Sequence, residues 1–419
     1  MEFKDESRKY GSPIYRRWQW RVLFGFCFFY LMQYSGRLNI GFALPLLQKE
    51  FGWTSSQLGW ISGIGLWSYG ISHMITGRLA DKYGARLLVT LGGIGSWACN
   101  LFVTFTRTIG AFTGLWGLNM FVQGFGWSPG TQLISQWYPK RERGKAMGIA
   151  VFAAGWSGIV VWLVAGYCAR FGWQAVFTYS PLLLIPGSIV FFILAKSKPA
   201  DAGLAPYEEE DAEIQEREAL EPKKLEHFVL LLKNWRFDLG CIAIALGNIS
   251  RYGLLLWIPL YYSKGLGIHI NKIFWVSIGL PVGMAAGPLI AGWISDRYFK
   301  SARYQIIMIY SAIAALVGYL IAFMPKDSLT LGIVLMFLAG FFVYGSHGPL
   351  WAFASDMGGR KMAGTALGLM DTVAYVGAGI QGVFIGWILT MSKGDFFWMF
   401  ILIGSVQLFA GALIRIAKR

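Results

Sequence analysis

The sequence predicts an all-α polytopic membrane protein with twelve transmembrane helices in two pseudo-symmetric halves of six. Of the 419 residues, 55% are hydrophobic and 14% are charged, a balance that a water-soluble core of this size does not require. Apolar stretches recur at the length of about twenty residues that a hydrocarbon core of ~30 Å needs. A short polar loop sequence also occurs once in each half.

The apolar stretches define the twelve predicted spans in order. They run over residues 22–46, 57–79, 87–106, 112–136, 145–168, 174–195, 236–262, 270–295, 304–324, 330–355, 362–390 and 395–415. An even number of spans places both termini on one side of the membrane. Residues 1–21 are polar and basic without a small-residue cleavage site, so we expect no signal peptide and a first span that directs insertion.

Lysine and arginine are concentrated in the loops on one face, and positive loops are retained in the cytoplasm. These basic segments are residues 16–21, 78–86, 140–145, 297–303, 360–361 and 418–419. We therefore predict a multi-pass protein of the plasma (inner) membrane with cytoplasmic termini. The net charge of +15 is accounted for by basic loops beside anionic lipid, so we expect the bilayer and no nucleic acid as a partner.

Hydrophobicity collapses between residues 196 and 228, where an acidic run at 208–211 precedes two lysines at 223–224. We interpret this segment as a cytoplasmic linker between an N-terminal half, 1–195, and a C-terminal half, 229–419. The acidic run is more simply a solvated segment than a binding site for a partner. One chain with twelve spans suffices for a transport pathway, so we expect a functional monomer.

Two arginines lie near the middle of apolar stretches, Arg37 in the first span and Arg251 in the seventh. Each precedes a similar loop, 77–83 or 292–298, by nearly the same interval. An ionisable group at mid-membrane costs roughly 2.5 to 3.5 kcal/mol and usually faces a polar cavity. The repetition predicts two related halves about an axis along the membrane normal, with a site between them near the midplane. We expect the two cations to converge on one anion.

The loop at 77–86, GRLADKYGAR, resembles the signature between the second and third helices of the major facilitator superfamily, and 292–297 resembles its degenerate second copy. Glycine allows close helix approach, and the acidic and basic residues can form charge-assisted contacts at the cytoplasmic helix ends as the halves rock. The residues expected to act in this gating are Gly77, Asp81, Arg86, Gly292, Asp296 and Arg297. The alternative is a simple polar turn.

Four further motifs carry a narrower resemblance. They are Tyr30, Tyr34 and Arg37 followed by NIGFALP at 39–45, QGFGWSP at 123–129, RYGLLLWIP at 251–259, and AGTA at 363–366. With these the chain resembles, over essentially its whole length, the organophosphate:phosphate antiporters, the group of the glycerol-3-phosphate and hexose-phosphate transporters. The resemblance implies the major facilitator fold.

The resemblance also implies that Arg37 and Arg251 are the two phosphate-binding arginines. Guanidinium suits this role because it is always charged and presents a planar fork of donors. Tyr30, Tyr34 and Arg37 follow one another at helical spacing and therefore share one face. We expect the tyrosines to bind substrate with Arg37, or else only to pack between helices.

Two positions on the second and fifth spans depart from the family pattern. His73, one turn after Tyr69, replaces a lysine of the glycerol-phosphate transporters; it can bind phosphate and titrate near neutral pH, or be a hydrogen-bonded core group. We include Tyr69 and His73 among the candidate substrate-binding residues. The fifth-span histidine of those transporters is absent, and Trp156 in that region either shapes the cavity by ring contact or packs against a helix.

Asp371 on the eleventh span is an acid that the family pattern lacks. Lipid does not tolerate an unpaired carboxylate, and a pair with Arg251 or His73 is the simplest answer. Proton coupling, shared with His73, and binding of a substrate ammonium remain alternatives, the last suited to an aminoalkyl phosphonate or a phospho-amine. His347 on the tenth span is a further candidate for lining the cavity.

Competing functional classes lack their motifs. The chain contains no Walker-type phosphate loop of an ATP-driven pump, no HExxH, and no ligand-like spacing among its four cysteines, so we expect no enzyme, no cofactor and no metal. We predict a secondary transporter that exchanges an organophosphate or phosphonate for inorganic phosphate by rocker-switch alternating access. A proton-coupled symporter of a sulfonate, carboxylate or zwitterion and a transporter-like sugar-phosphate sensor are the alternatives.

Overall fold

The computed structural model describes residues 9–205, 229–299, 303–325 and 328–417. The α-helices of the first half are α1 Pro13–Gln33, α2 Ile40–Phe51, α3 Ser55–Tyr83, α4 Ala85–Val103, α5 Ile109–Gln123, α6 Trp127–Trp137, α7 Lys140–Cys168, α8 Trp173–Thr178 and α9 Leu184–Leu194. Those of the second half are α10 Trp235–Leu260, α11 Ile270–Ser277, α12 Gly279–Tyr298, α13 Arg303–Ala322, α14 Leu329–Gly345, α15 His347–Met391 and α16 Phe397–Ile416.

The described residues contain no β-strand, and the all-α prediction is confirmed. Nine stretches of the described chain are long and apolar enough to cross a membrane; they coincide with the third and the fifth to twelfth predicted spans. The other three predicted spans are also helical. The first and fourth are each broken into two helices, and the second, α3, carries many Gly and Ser residues that lower its hydropathy.

Some sequence predictions fall outside the described residues. They concern the acidic run 208–211, the lysines at 223–224 and the C-terminal residues 418–419. The division into two halves joined by the linker 196–228 therefore stays a prediction.

The first span is interrupted where Arg37 is positioned. Helix α1 ends at Gln33, a 3-10 turn covers Tyr34–Gly36, and α2 begins at Ile40. Backbone carbonyls freed by such a break need partners, because water is absent from the bilayer core. Side chains of α4 and α5 supply them, as described below for Gly36.

Element α15, from His347 to Met391, covers the end of the tenth predicted span and the whole of the eleventh. Phe353 and Met370 nevertheless both lie within 4 Å of a Cβ built on Gly240. In a straight helix they would be separated by about 25 Å at 1.5 Å per residue. The chain therefore reverses direction between them, in the region where the sequence predicts a loop.

The halves pack tightly at one end of the bundle, which carries the loops 52–54 and 392–396 and which we call the closed end. There α3 and α15 cross at glycines. A Cβ built on Gly382 would lie 2.6 Å from the carbonyl oxygen of Gly59 and 2.8 Å from the backbone nitrogen of Gly63. Only glycine permits this approach of two backbones, as at other small-residue contacts between membrane helices.

Hydrogen bonds between the halves add to the packing at the closed end. The backbone N–H of Ser56 donates to Thr390 Oγ1 at 2.9 Å, and Trp162 Nε1 donates to Ser277 Oγ at 2.9 Å. On the closed-end side of Arg37 a cavity of about 10 Å³ remains, which is at the lower limit for one water molecule. This cavity therefore leaves no room for a ligand larger than water on the closed-end side of Arg37.

Candidate functional site

Arg37 lies at the break in the first span and is only 2% exposed. Its guanidinium carbon lies 4.0 Å from the ring centroid of Tyr34 and 4.6 Å from that of Tyr69. The Nε and Nη1 atoms of Arg37 are buried and have no hydrogen-bond partner. Buried donors without partners are rare and costly, so these N–H groups are available to an acceptor that the protein itself does not provide.

Arg251 occupies the matching place in α10. Its guanidinium carbon lies 4.0 Å from the ring centroid of Tyr344 and 5.0 Å from that of Tyr252, and its Nε is likewise buried without a hydrogen-bond partner. Tyr34 interacts electrostatically with both arginines. The structure therefore brings the two cations to one site between the halves, walled by tyrosine rings.

A buried amide network holds the backbone immediately before Arg37. The carbonyl of Gly36 accepts hydrogen bonds from Asn119 Nδ2 at 2.8 Å and from Asn100 Nδ2 at 3.1 Å. Asn119 Oδ1 in turn accepts from Ser96 Oγ at 2.7 Å. A Cβ built on Gly36 would lie 2.6 Å from that hydroxyl, so the position requires glycine. The network fixes the direction in which Arg37 leaves the main chain.

This network was not predicted from the sequence, although a signal was present. Asn100, Asn119 and Gln123 are amide side chains inside apolar stretches, and polar groups inside membrane helices face protein or cavities rather than lipid. Without the fold, nothing showed that they meet at Gly36.

We expect Asn119→Leu to impair anion binding strongly, although Asn119 makes no contact with the Arg37 guanidinium among the described interactions. The substitution leaves the Gly36 carbonyl one bond short and Ser96 without its acceptor, and each unsatisfied buried group costs about 1–3 kcal/mol. Binding of a labelled anion to purified protein and thermal unfolding measure the two effects. Asn119→Gln, which keeps the amide, should retain more of both; equal binding by Asn119→Leu and the unmodified protein would contradict a positioning role.

His73 lies between Tyr69 and the second half. Its Nδ1 is hydrogen-bonded to Ser128 Oγ at 2.7 Å, and its Nε2 is buried without a partner. The ring is stacked against Tyr375 at a centroid distance of 5.7 Å. Of the two partners expected for Asp371, His73 lies near it, at 3.9 Å between Nδ1 and Oδ2, which is longer than a hydrogen bond.

Three tyrosines of the second half, Tyr252, Tyr344 and Tyr375, complete the aromatic wall and were not predicted. Tyr375 packs against Tyr69 at 4.7 Å between ring centroids, and its hydroxyl lies 3.5 Å from that of Tyr252. Tyr252 adjoins Arg251 in sequence, which was an available signal. Tyr30, which the sequence predicts to bind substrate, is 3% exposed and packs its ring against Trp127 and Tyr34.

Two predicted site residues make no direct contact with either guanidinium among the described interactions, although His347 packs on Tyr344 at 5.1 Å between ring centroids and interacts electrostatically with Arg251. Trp156 is 47% exposed, and its described ring contact is with Phe152. His347 is buried, with Nδ1 at 3.0 Å from the Val343 carbonyl oxygen and Nε2 at 3.1 Å from Asn248 Oδ1. Both nitrogens of His347 are thus occupied by protein groups, an arrangement that supports the helix carrying Arg251.

The predicted gating loop is mostly helical, since α3 continues to Tyr83. Asp81 accepts a hydrogen bond from Gln132 Nε2 of α6. Arg86 Nε donates to the Phe192 carbonyl at 2.8 Å. Both residues therefore tie helices of the first half together. In the second copy of the loop, 292–298, Arg297 is exposed, and a Cβ built on Gly292 would meet nothing within 4 Å. The side chain of Asp296 and the surroundings of Gly77 lie outside the described part of the structure.

No group of three or more His, Cys, Asp or Glu residues that could hold a metal ion occurs within the described ranges. The site is instead a cationic pair in an aromatic enclosure, with one carboxylate and one histidine at its edge. Such an arrangement can bind an oxyanion by charge and hydrogen bonds.

A family model described as Major Facilitator Superfamily matches residues 22–382. Among curated proteins, a probable hexose phosphate transport protein of Chlamydia pneumoniae is 27% identical and covers 91% of this chain and 87% of its own. The glycerol-3-phosphate transporter of Bacillus subtilis is 29% identical, covering 90% and 87%. The membrane sensor protein UhpC of Escherichia coli is 27% identical, covering 88% and 85%.

Solved structures show the same fold. A bacterial homologue of the human lysosomal transporter Spinster, inward-facing and unoccupied, superposes with a TM-score of 0.75 at 15% identity and covers 97% of this chain and 96% of its own. A D-xylose-proton symporter gives 0.71 at 16% identity, covering 94% and 96%. These likenesses confirm the predicted twelve-helix fold, and the curated relatives confirm the resemblance to the organophosphate:phosphate antiporters.

Proposed function

The chain belongs to the Major Facilitator Superfamily, and we propose that it is a secondary transporter that exchanges an organophosphate or phosphonate for inorganic phosphate by alternating access. The observation that carries the proposal is the pair of arginines, buried Arg37 and half-buried Arg251, whose N–H groups include buried donors without partners among the described residues. Relatives named as hexose phosphate and glycerol-3-phosphate transporters support the same substrate class.

Phosphate fits this site for three reasons. A tetrahedral dianion presents oxygen pairs that match the guanidinium fork. The hydroxyl of Tyr34, which interacts with both arginines, can donate to a third oxygen. The unpartnered Nε2 of His73 can add another hydrogen bond. We assign Arg37 and Arg251 to the anion, with Tyr34, Tyr69 and His73 completing its surroundings.

Exchange follows from the charge of the site. Two buried cations repel each other and are costly to enclose without a counter-ion. A bound dianion offsets this cost, so the halves close more readily over an occupied site, which favours exchange of one anion for another over leak of the empty carrier. Because each half supplies one arginine of a single site, we propose that the monomer is the functional unit, with no metal or cofactor.

The test is uptake of labelled inorganic phosphate into liposomes that contain the purified protein. Uptake into phosphate-loaded vesicles, absent from empty ones and inhibited by external glycerol-3-phosphate or glucose-6-phosphate, is the expected result. Absence of exchange under these conditions would contradict the proposal. Binding of a sugar phosphate without exchange would instead indicate sensing, the role named for the relative UhpC.

We further propose that both termini face the cytoplasm and that the closed end faces away from it. A cysteine at Lys393, in a closed-end loop, should react with a membrane-impermeant maleimide in intact cells. A cysteine at Lys198, near the end of the first half, should react only after permeabilisation. The native cysteines Cys99, Cys168 and Cys241 are buried and Cys27 is half-buried, which keeps the background low. The reverse labelling pattern would invert the orientation.

A further inference from the structure

We propose that Asp371 binds a cationic group of the substrate, so that the transported organic compound is an amine-bearing phosphate or phosphonate such as a short aminoalkyl phosphonate. The inference rests on the proposed function, because it takes the arginine pair as the site of the phosphate or phosphonate group. It narrows the substrate class by a feature at the edge of the same site.

The carboxylate of Asp371 is not satisfied by the protein. It lies 3.9 Å from His73 Nδ1, but that nitrogen is already hydrogen-bonded to Ser128 Oγ at 2.7 Å. Within the described residues no donor makes a hydrogen bond to Asp371. Its side chain is 26% exposed, whereas that of His73 is 8% exposed. Asp371 therefore presents an accessible acceptor beside the arginine pair.

Two tyrosines, Tyr69 and Tyr375, interact electrostatically with this carboxylate. Tyr375 follows Asp371 by one helical turn on α15 and stacks on the ring of His73. Tyr69 contacts both of these rings, at 4.7 Å and 4.5 Å between centroids. A carboxylate combined with tyrosine faces provides charge and ring attraction for a cation. The same wall continues to Arg37 through Tyr69, so the two subsites adjoin.

The charge of the site points to the same substrate. The charged groups that act on Asp371 are Arg251 from α10 and Arg37 from the first span. Tyr69 and Tyr375 also interact with it electrostatically, and His73 lies 3.9 Å away. With Asp371 ionised, the site carries one net positive charge. A phosphate or phosphonate group carries about −1.5 to −2 at pH 7, so a compound that also bears an ammonium group balances the site more closely than one without it. Unbalanced charge in a closed, desolvated site is costly.

The test compares 2-aminoethylphosphonate with propylphosphonate, in which a methyl group replaces the ammonium. Each competes with labelled inorganic phosphate for exchange in phosphate-loaded liposomes at neutral pH. We expect the aminated compound to bind about ten- to a hundred-fold more tightly, as one charge-assisted hydrogen bond allows. Asp371→Asn should bring this ratio close to one, and Asp371→Glu should retain a preference. Asp395→Asn, a matched change in the exposed loop 392–396, should leave the ratio as it is.

Each other outcome has a distinct meaning. Equal affinity of the two compounds in the unmodified protein, with phosphate exchange intact, overturns the inference and leaves the proposed function standing. An equal loss of both compounds in Asp371→Asn assigns a structural role and also overturns it. Absence of any phosphate exchange overturns the proposed function and this inference with it.

Discussion

Replacing either central arginine with lysine is expected to abolish most phosphate exchange. Arg37 and Arg251 present N–H groups in a planar fork, and lysine replaces each fork with a point charge on a flexible stem. Loss of one charge-assisted hydrogen bond costs about 1.5–3 kcal/mol, a roughly ten- to hundred-fold weaker apparent affinity. Phosphate self-exchange in liposomes measures the effect for each variant.

Arg107→Lys is the matched control, because Arg107 donates only to nearby backbone carbonyls in the turn after α4. It should exchange phosphate at the unmodified rate. Circular dichroism of the three variants should be indistinguishable, which would separate loss of binding from loss of folding. Near-normal exchange by both Arg37→Lys and Arg251→Lys would remove the anion-clamp assignment.

Gly382→Leu is expected to prevent the closed end from closing. The glycine contact leaves no room for a side chain, since the added Cβ would lie 2.6 Å from a backbone oxygen of Gly59. Overpacking costs about 1–3 kcal/mol, which corresponds to a population shift of about 5–150-fold. The conformers open at this end should therefore gain population at the expense of the one described here.

A cysteine at Ser62 reports that shift, because Ser62 is 1% exposed and lines the small cavity beside Arg37. In the Gly382→Leu background, maleimide added from the closed-end side should modify it faster than in the unmodified background. Gly114→Leu is the control, since a Cβ there meets nothing within 4 Å. Unchanged labelling with Gly382→Leu would show that the α3–α15 contact does not hold this end shut.

The sequence allowed the fold to be predicted well and the site in part. An arginine recurs at the same place in each half, and this repetition predicted that Arg37 and Arg251 form one site. In the structure both arginines lie against tyrosine rings. Tyr344 and Tyr375 were not predicted because aromatic residues are frequent in every span. Composition therefore does not distinguish a tyrosine that lines the site from one that packs against lipid. Trp156 is the opposite case. The sequence predicted that it binds substrate, but none of its described contacts is with Arg37 or Arg251.

The breaks and reversals depended on long-range contacts. The interruption of the first span at Tyr34–Gly36 requires Asn100 and Asn119 as partners for the exposed carbonyl, and these come from other spans. The approach of Asp371 to His73 likewise depends on how α15 crosses α3.

By itself, the sequence determined the membrane class, the span positions, the two-fold repetition and the pair of cations, because these follow from transfer free energies and residue spacing along one chain. Only the tertiary structure decided that Gly382 meets Gly59, that the Gly36 carbonyl is held by two asparagines, and that Asp371 is left without a hydrogen-bond donor. Such facts depend on the ångström-scale approach of helices distant in sequence, which hydropathy and periodicity do not encode.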